Sequence, residues 1–500
     1  MTPYQKLESA FRHAALIDEA TGFLVWDEAV HMPDQSAESR AEQMATLNVI
    51  SHETLTRPEI GDWLDAAETA VAEGSNAELD AWQRANLREM RRAWVHTAAV
   101  PADLIAAITR ASSACEMVWR TAKPKGDFKA TLPTLTEVLR LTLELGQAKA
   151  AKLGIGVYDA LLDQYEAGLR AADIDVIFAD LAAFLPGAIE RAIAGQAAHP
   201  PLEPKGPFPV ERQRELSLKL MRQVGFPFER GRLDASRHPF CGGTPEDLRI
   251  TTRYDEGDFA KALMGTLHET GHAMYEAGLP KAWRRQPVGY ARGMALHESQ
   301  SLLLEMQVCR SREFVAFAAP LMRETLGVEG PAWSADNLYR LGIRVQRSFI
   351  RVDADEVTYP CHVILRYRLE RALVAGDLAL EDLPGAWNDG MKELLGVVPP
   401  DHTLGCLQDI HWFRAGTGYF PTYTLGALAA AQLFQAAGRA IPDLRATIGR
   451  GEFAPLFAWL REHVHGKASF LSTRELLEQA TGQKLGTAAF KAHLARRYGV

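Results

Sequence analysis

Cysteine is scarce in this chain. Its five residues among 500, Cys115, Cys241, Cys309, Cys361 and Cys406, are scattered and never form a Cys-x-x-Cys pair. Neither a disulfide framework nor a thiolate metal site is indicated, and a reducing compartment fits best. Long basic runs are also lacking: Lys+Arg number 55 against Asp+Glu 63, for a formal net charge of −8. Nucleic acid is therefore not expected as a partner. No apolar run is long enough to cross a bilayer; the nearest, Leu425 to Ala437, is interrupted by Gly426, Gln432 and Gln435 and reads as a buried helix. The first residues lead straight into an amphipathic pattern containing Glu8, Arg12 and His13, without a charged-then-apolar leader. The expected location is cytoplasmic, with no membrane partner. No repeat of fixed period is visible, which excludes a solenoid.

What is present is mostly helical. From Tyr4 to about Ala198 apolar residues recur at three- and four-residue steps, and glycine is rare. Turn or capping residues at His31–Asp34, Gly74–Asn76, Val100–Asp103, Pro124–Asp127 and Gly154–Gly156 divide this half into six or more helices. The proline-dense stretch His199–Pro207 separates residues 1–198, a helical lobe, from residues 199–500, the lobe carrying most of the motifs. We read it as a surface loop within a single domain spanning 1–500. Beyond it, Leu248–Tyr254 and Ser348–Val352 alternate apolar and polar residues as half-buried strands would, and two or three such strands would make a small sheet. Helical spacing returns at Val363–Val374, Ala386–Leu395 and Ser472–Arg497. The fold class is mainly α with a minor β element.

Inside an apolar helical pattern beginning near Phe259 stands His268-Glu269-Thr270-Gly271-His272. On a helix the two histidines share one face, a turn apart, and can reach one divalent ion; Glu269, about 100° round the helix, can take a proton from an attacking water. Chance supplies roughly 0.03 such matches in a chain of this composition. A catalytic zinc usually takes three protein ligands. A metzincin would continue with glycine at position 275 and histidine at 278, but Tyr275 and Gly278 stand there, so that class is excluded. The alternative is a glutamate from a second helix. Glu298, opening the amphipathic segment Leu296–Cys309, is the natural choice, although spacing alone does not separate it from Glu276 or Glu305.

A polar and aromatic stretch follows, Gly405–Trp412 and Gly416–Tyr423, too rich in glycine for a core helix. His411 and Tyr423 within it are suited to stabilise the oxyanion of a tetrahedral intermediate. With it the set of motifs is in view: Trp26-Asp27, Met32-Pro33, His238-Pro239-Phe240, Asp247-x-Arg249-x-Thr251, the His268–His272 pattern, His297-Glu298-Ser299, Ile350-Arg351-x-x-Ala354-Asp355-Glu356, Gly405-x-x-Gln408-Asp409-x-His411-Trp412 and Gly418–Tyr423. Together they resemble the carboxypeptidase Taq family of metallocarboxypeptidases over nearly the whole chain.

The resemblance implies a large, helical, two-lobed peptidase with a long groove, usually a homodimer, that removes single residues from peptides with a free C-terminus. It implies His268, His272 and Glu298 as ligands of one divalent ion, Zn2+ in the first place with Co2+ or Mn2+ as alternatives, and Glu269 as general base. A C-terminal carboxylate is best read by an arginine's planar fork. The motif arginines are Arg351, favoured because the family sets its motif along the groove wall, and Arg249; Gln408 and Tyr419 are further expected substrate contacts. One departure is Leu302-Leu303-Leu304, where the family commonly has Arg, an apolar residue and Trp. The competing readings are a dipeptidyl carboxypeptidase or oligoendopeptidase on the same site, and a non-catalytic peptide-binding protein.

Overall fold

The computed structural model describes residues 1–73 and 79–500; the break expected at Gly74–Asn76 lies outside the described residues. The first half is α-helical: α1 (Pro3–Val30), α2 (Ala37–Thr56), α3 (Pro58–Ala72), α4 (Ala81–Ala98), α5 (Ala102–Ala122), α6 (Phe128–Leu153), α7 (Val157–Asp163) and α8 (Ala171–Gln196). The other four breaks read from the sequence each fall at a junction between successive α-helices. The proline-dense stretch is a loop without regular structure. After it come α9 (Val210–Val224), β1 (Gly231–Ala235), β2 (Phe240–Thr244), β3 (Asp247–Thr252), α10 (Phe259–Gly278) and α11 (Met294–Leu302), the last running directly into a π-helical segment, Leu303–Cys309. The remainder comprises α12 (Arg312–Leu326), α13 (Ala335–Gly342), α14 (Tyr359–Ala375), α15 (Leu383–Leu395), α16 (Pro421–Ala440), α17 (Leu444–Gly449), α18 (Ala454–His463), α19 (Thr473–Thr481) and α20 (Ala488–Tyr498). The segment Ser472–Arg497, expected as one helical stretch, is thus two helices.

The sheet has the order β1-β3-β2, with β1 parallel and β2 antiparallel to β3. Leu248 and Ile250 of β3 and Leu233 of β1 bury against Met221, Phe226 and Ala273, which fastens the sheet to α9 and α10. One strand expectation fails. Ser348–Val352 is not a strand; Arg351–Asp353 form a single 3-10 turn. Side chains have taken the backbone bonds a ladder would need: Arg351 N–H donates to Gln408 Oε1, the Phe349 carbonyl accepts from Gln408 Nε2, and Ile350 N–H donates to Ser348 Oγ.

Two large apolar cores are present. One gathers α9 to α13 with α17 to α19, and the other gathers α5 to α8 with α14, α15 and α20. Helix α16 serves both, giving Ala429, Ala430, Leu433 and Phe434 to the first and Leu425, Leu428 and Ala431 to the second. It is the element that the two cores share. No helix among the described residues is long and apolar enough to cross a membrane.

Candidate metal centre

Helix α10 starts where the Asp258 carboxylate accepts from the amides of Ala260 and Lys261, satisfying two otherwise orphaned donors. Leu263, Leu267 and Met274 bury one flank in the first core, leaving His268 and His272 a turn apart on the other. Helix α11 lies across them at very short range. A Cβ on Gly271 would stand 2.5 Å from the Gln300 carbonyl oxygen and 2.6 Å from Ser301 Cα, so only glycine permits this crossing. On its far side α11 meets α16 as closely, at Gly426.

The crossing brings Glu298 Oε2 to 3.5 Å from His272 Nε2 and 3.9 Å from His268 Nε2. Ligand atoms from the three residues all lie within 4.8 Å of one another. Two imidazoles and a carboxylate make a nitrogen and oxygen set suited to zinc and related divalent ions. The outer ring nitrogens support the fit. His268 Nδ1 lies 3.0 Å from Glu305 Oε2, and Arg310 Nη2 donates to the other Glu305 oxygen at 2.8 Å. His272 Nδ1 lies 2.6 Å from His297 Nδ1, whose Nε2 is 3.0 Å from Glu276 Oε1. With both Nδ1 atoms engaged, both Nε2 atoms are left to face the carboxylate, as metal-binding histidines are usually held. Glu276 and Glu305, the alternatives that spacing left open, contact the histidine network instead of joining the three-atom cluster.

Electrostatics separate the two imidazoles. Burial lowers His268, but the Glu298 charge and the bond to Glu305 outweigh it and hold it up at about 10. His272 is also lowered by burial, here without enough compensation, to about 4. Glu269 is 8% exposed. Burial pushes its carboxyl up to about 7, with His268 opposing and Glu298 adding to the rise. A carboxyl in that range is suited to exchange protons near neutral pH.

On the far side of Glu298 stands an aromatic cluster. The rings of Tyr419 and Tyr423 are 5.2 Å apart, and His411 packs on Phe420 at 4.5 Å and stacks with Tyr419 at 5.9 Å. Burial lowers His411 to about 4, and its Nδ1 has no partner among the described residues. The Arg351 guanidinium, 5.2 Å from the Tyr423 ring, donates Nε and Nη2 to Asp409 and Nη1 to Tyr359 Oη. Its backbone bond to Gln408 completes a buried network in which Arg366 also pairs with Asp409. Tyr359 was not singled out in the sequence: a tyrosine at a helix start carries no pattern. Burial pushes it up to about 12, so its hydroxyl keeps its proton at neutral pH. Tyr423, expected in a non-helical stretch, sits in the first turn of α16 behind Pro421. Arg249 lies elsewhere, paired with both oxygens of Asp247 and resting on Trp26 at 4.2 Å and Phe23 at 4.6 Å, against α1.

Comparison with known proteins matches residues 6–498 to the family model described as Carboxypeptidase Taq (M32) metallopeptidase. Thermostable carboxypeptidase 1 of Thermus thermophilus is 40% identical, the match covering 100% of this chain and 99% of that protein. Carboxypeptidase 1 of Bacillus subtilis is 33% identical over 96% of this chain and 95% of its own length. Among solved structures, Trypanosoma cruzi metallocarboxypeptidase 1 superposes with a TM-score of 0.96 at 40% identity, covering 99% of both chains. The M32 carboxypeptidase from Deinococcus radiodurans R1 gives 0.92 at 34% identity over 100% of both.

Proposed function

The chain belongs to the carboxypeptidase Taq (M32) family of metallopeptidases, and from that premise we propose that it releases single C-terminal residues from peptides using one divalent ion, Zn2+ above all, held by His268, His272 and Glu298. The observation that carries this is the approach of both histidine Nε2 atoms to one Glu298 oxygen, at 3.5 and 3.9 Å, while both Nδ1 atoms are otherwise engaged.

When bound, the ion supplies positive charge that acidifies a water and polarises the scissile carbonyl. Glu269 accepts the proton of the attacking water and passes it to the leaving amine. Tyr423 and His411 donate to the oxygen that becomes negative at the tetrahedral stage. Arg351 reads the terminal carboxylate. An arginine has five N–H donors, and Asp409 and Tyr359 take three of these, leaving one on each terminal nitrogen. Gln408 fixes the Arg351 backbone, and Tyr419 packs beside Tyr423. The protein acts in the cytoplasm as a homodimer on this reading.

Metal analysis of Glu298→Ala tests the ligand set. The variant should keep its helical content and lose most of its bound metal, and full occupancy would move the third ligand elsewhere.

A further inference from the structure

Two residues outside the ligand set, His297 and Glu276, occupy a place the proposed reaction leaves unused. Glu276 lies one turn beyond His272 on α10, and His297 of α11 bridges them, Nδ1 at 2.6 Å from His272 and Nε2 at 3.0 Å from Glu276. We propose that His297 and Glu276 are positioning residues that hold His272 in the one tautomer able to bind the ion; this rests on the metal-site reading above.

The argument is a proton count. Two ring nitrogens 2.6 Å apart need one proton between them. If His272 is to offer an Nε2 lone pair beside Glu298, its own proton must sit on Nδ1, so His272 is the donor. His297 Nδ1 must then accept, which sends the His297 proton to Nε2, facing a carboxylate that can take it. The reverse arrangement would put N–H on His272 Nε2, blocking the ligand position, and would set a bare His297 nitrogen against a carboxylate oxygen. Glu276 therefore fixes the direction of the whole chain. His268 has the same device with one link fewer, since Glu305 meets its Nδ1 directly.

Packing keeps the relay in register. The His297 ring lies 4.6 Å from the His272 ring and 5.4 Å from that of Tyr275, whose hydroxyl accepts from the Arg292 amide in the loop leading to α11. At the outer end Glu276 borders a cavity of about 240 Å³ that Cys241, Arg285 and Tyr290 also line. That leaves this carboxylate in partial contact with solvent, with its side chain 27% exposed.

The test is competition for zinc with a chromophoric chelator in wild type, Glu276→Leu, Glu276→Gln and His297→Phe, together with absorption spectra of the Co2+-loaded proteins. Loss of an acceptor behind a ligating histidine typically weakens metal binding by roughly 10- to 100-fold, and that is the loss expected for Glu276→Leu and His297→Phe. Glu276→Gln keeps an acceptor oxygen and should recover most of the affinity, and the Co2+ bands should shift in Glu276→Leu and His297→Phe but not in Glu276→Gln. His297 neighbours the ligand Glu298 in sequence, so the Glu276 pair decides the matter. Zinc affinity in Glu276→Leu within about twofold of wild type, or equal losses for Leu and Gln, would overturn the relay. Failure of the wild type itself to bind zinc, cobalt or manganese would overturn the metal site instead.

Discussion

Gly426 of α16 faces Glu298 of α11 so closely that a Cβ built on the glycine would stand 2.8 Å from Glu298 Cβ and 2.9 Å from its Cγ. The helix shared by the two cores is thus the backstop for the proposed third ligand. Gly426→Ala should force the carboxylate aside, weaken zinc binding and cost about 1 to 3 kcal/mol of stability, the usual scale of overpacking a tight core. Chelator competition and denaturant unfolding measure the two effects. Wild-type values for both would mean that α11 and α16 part without cost.

Asp409 sits between Arg351 and Arg366, at 2.9 and 2.5 Å; both arginines are buried and Asp409 is largely so. Burial raises its carboxyl, but the two guanidinium charges outweigh this and hold it well below the usual carboxylate range. A depressed pKa contributes stability above the unfolded value, near pH 4, and loses it as pH falls through the folded value. Asp409→Asn leaves two cations short of a counter-ion and should lower stability by about 3 to 5 kcal/mol at neutral pH. Unfolding at a series of pH values should show the gap to wild type constant down to about pH 4 and shrinking only below it. A gap that closes between pH 7 and 5 would contradict the assigned charge state.

Recognition of the chain end is tested with one peptide carrying either a free or an amidated C-terminus. Wild type should strongly prefer the free acid. Arg351→Met should lose most of that preference, at a cost of roughly 1.5 to 3 kcal/mol in substrate binding, with metal retained. Should Arg249→Met show the loss instead, the anchor lies on the sheet facing α1; if neither does, backbone amides or the Tyr423 and His411 pair must read the carboxylate.

Much of this was legible in the sequence because periodicity records local geometry. The spacing of His268 and His272 on an apolar helical pattern fixes their common face whatever surrounds them, and the alternation at Leu248–Tyr254 reports a strand with one buried side. Ser348–Val352 alternates in the same way, yet has no strand beside it, and the Gln408 and Ser348 side chains capture its backbone bonds. Periodicity cannot see a missing neighbour. Spacing likewise could not rank Glu276, Glu298 and Glu305, because their roles depend on the crossing at Gly271 and on the π-helical segment that carries Glu305. Leu302-Leu303-Leu304, the departure from the resembling pattern, is buried in the first core. The pairing of Arg351 with Asp409 joins residues 58 positions apart, which no local signal encodes.

The central claim is tested most directly by following a synthetic peptide by mass spectrometry during incubation with metal-loaded protein, beside metal-loaded Glu269→Gln. The account predicts a ladder of products each shorter by one C-terminal residue, and a variant that retains its metal but turns over at least ~100-fold more slowly. Internal cuts or loss of residues in pairs would contradict the assigned reaction, and a fully active Glu269→Gln would contradict the assigned base.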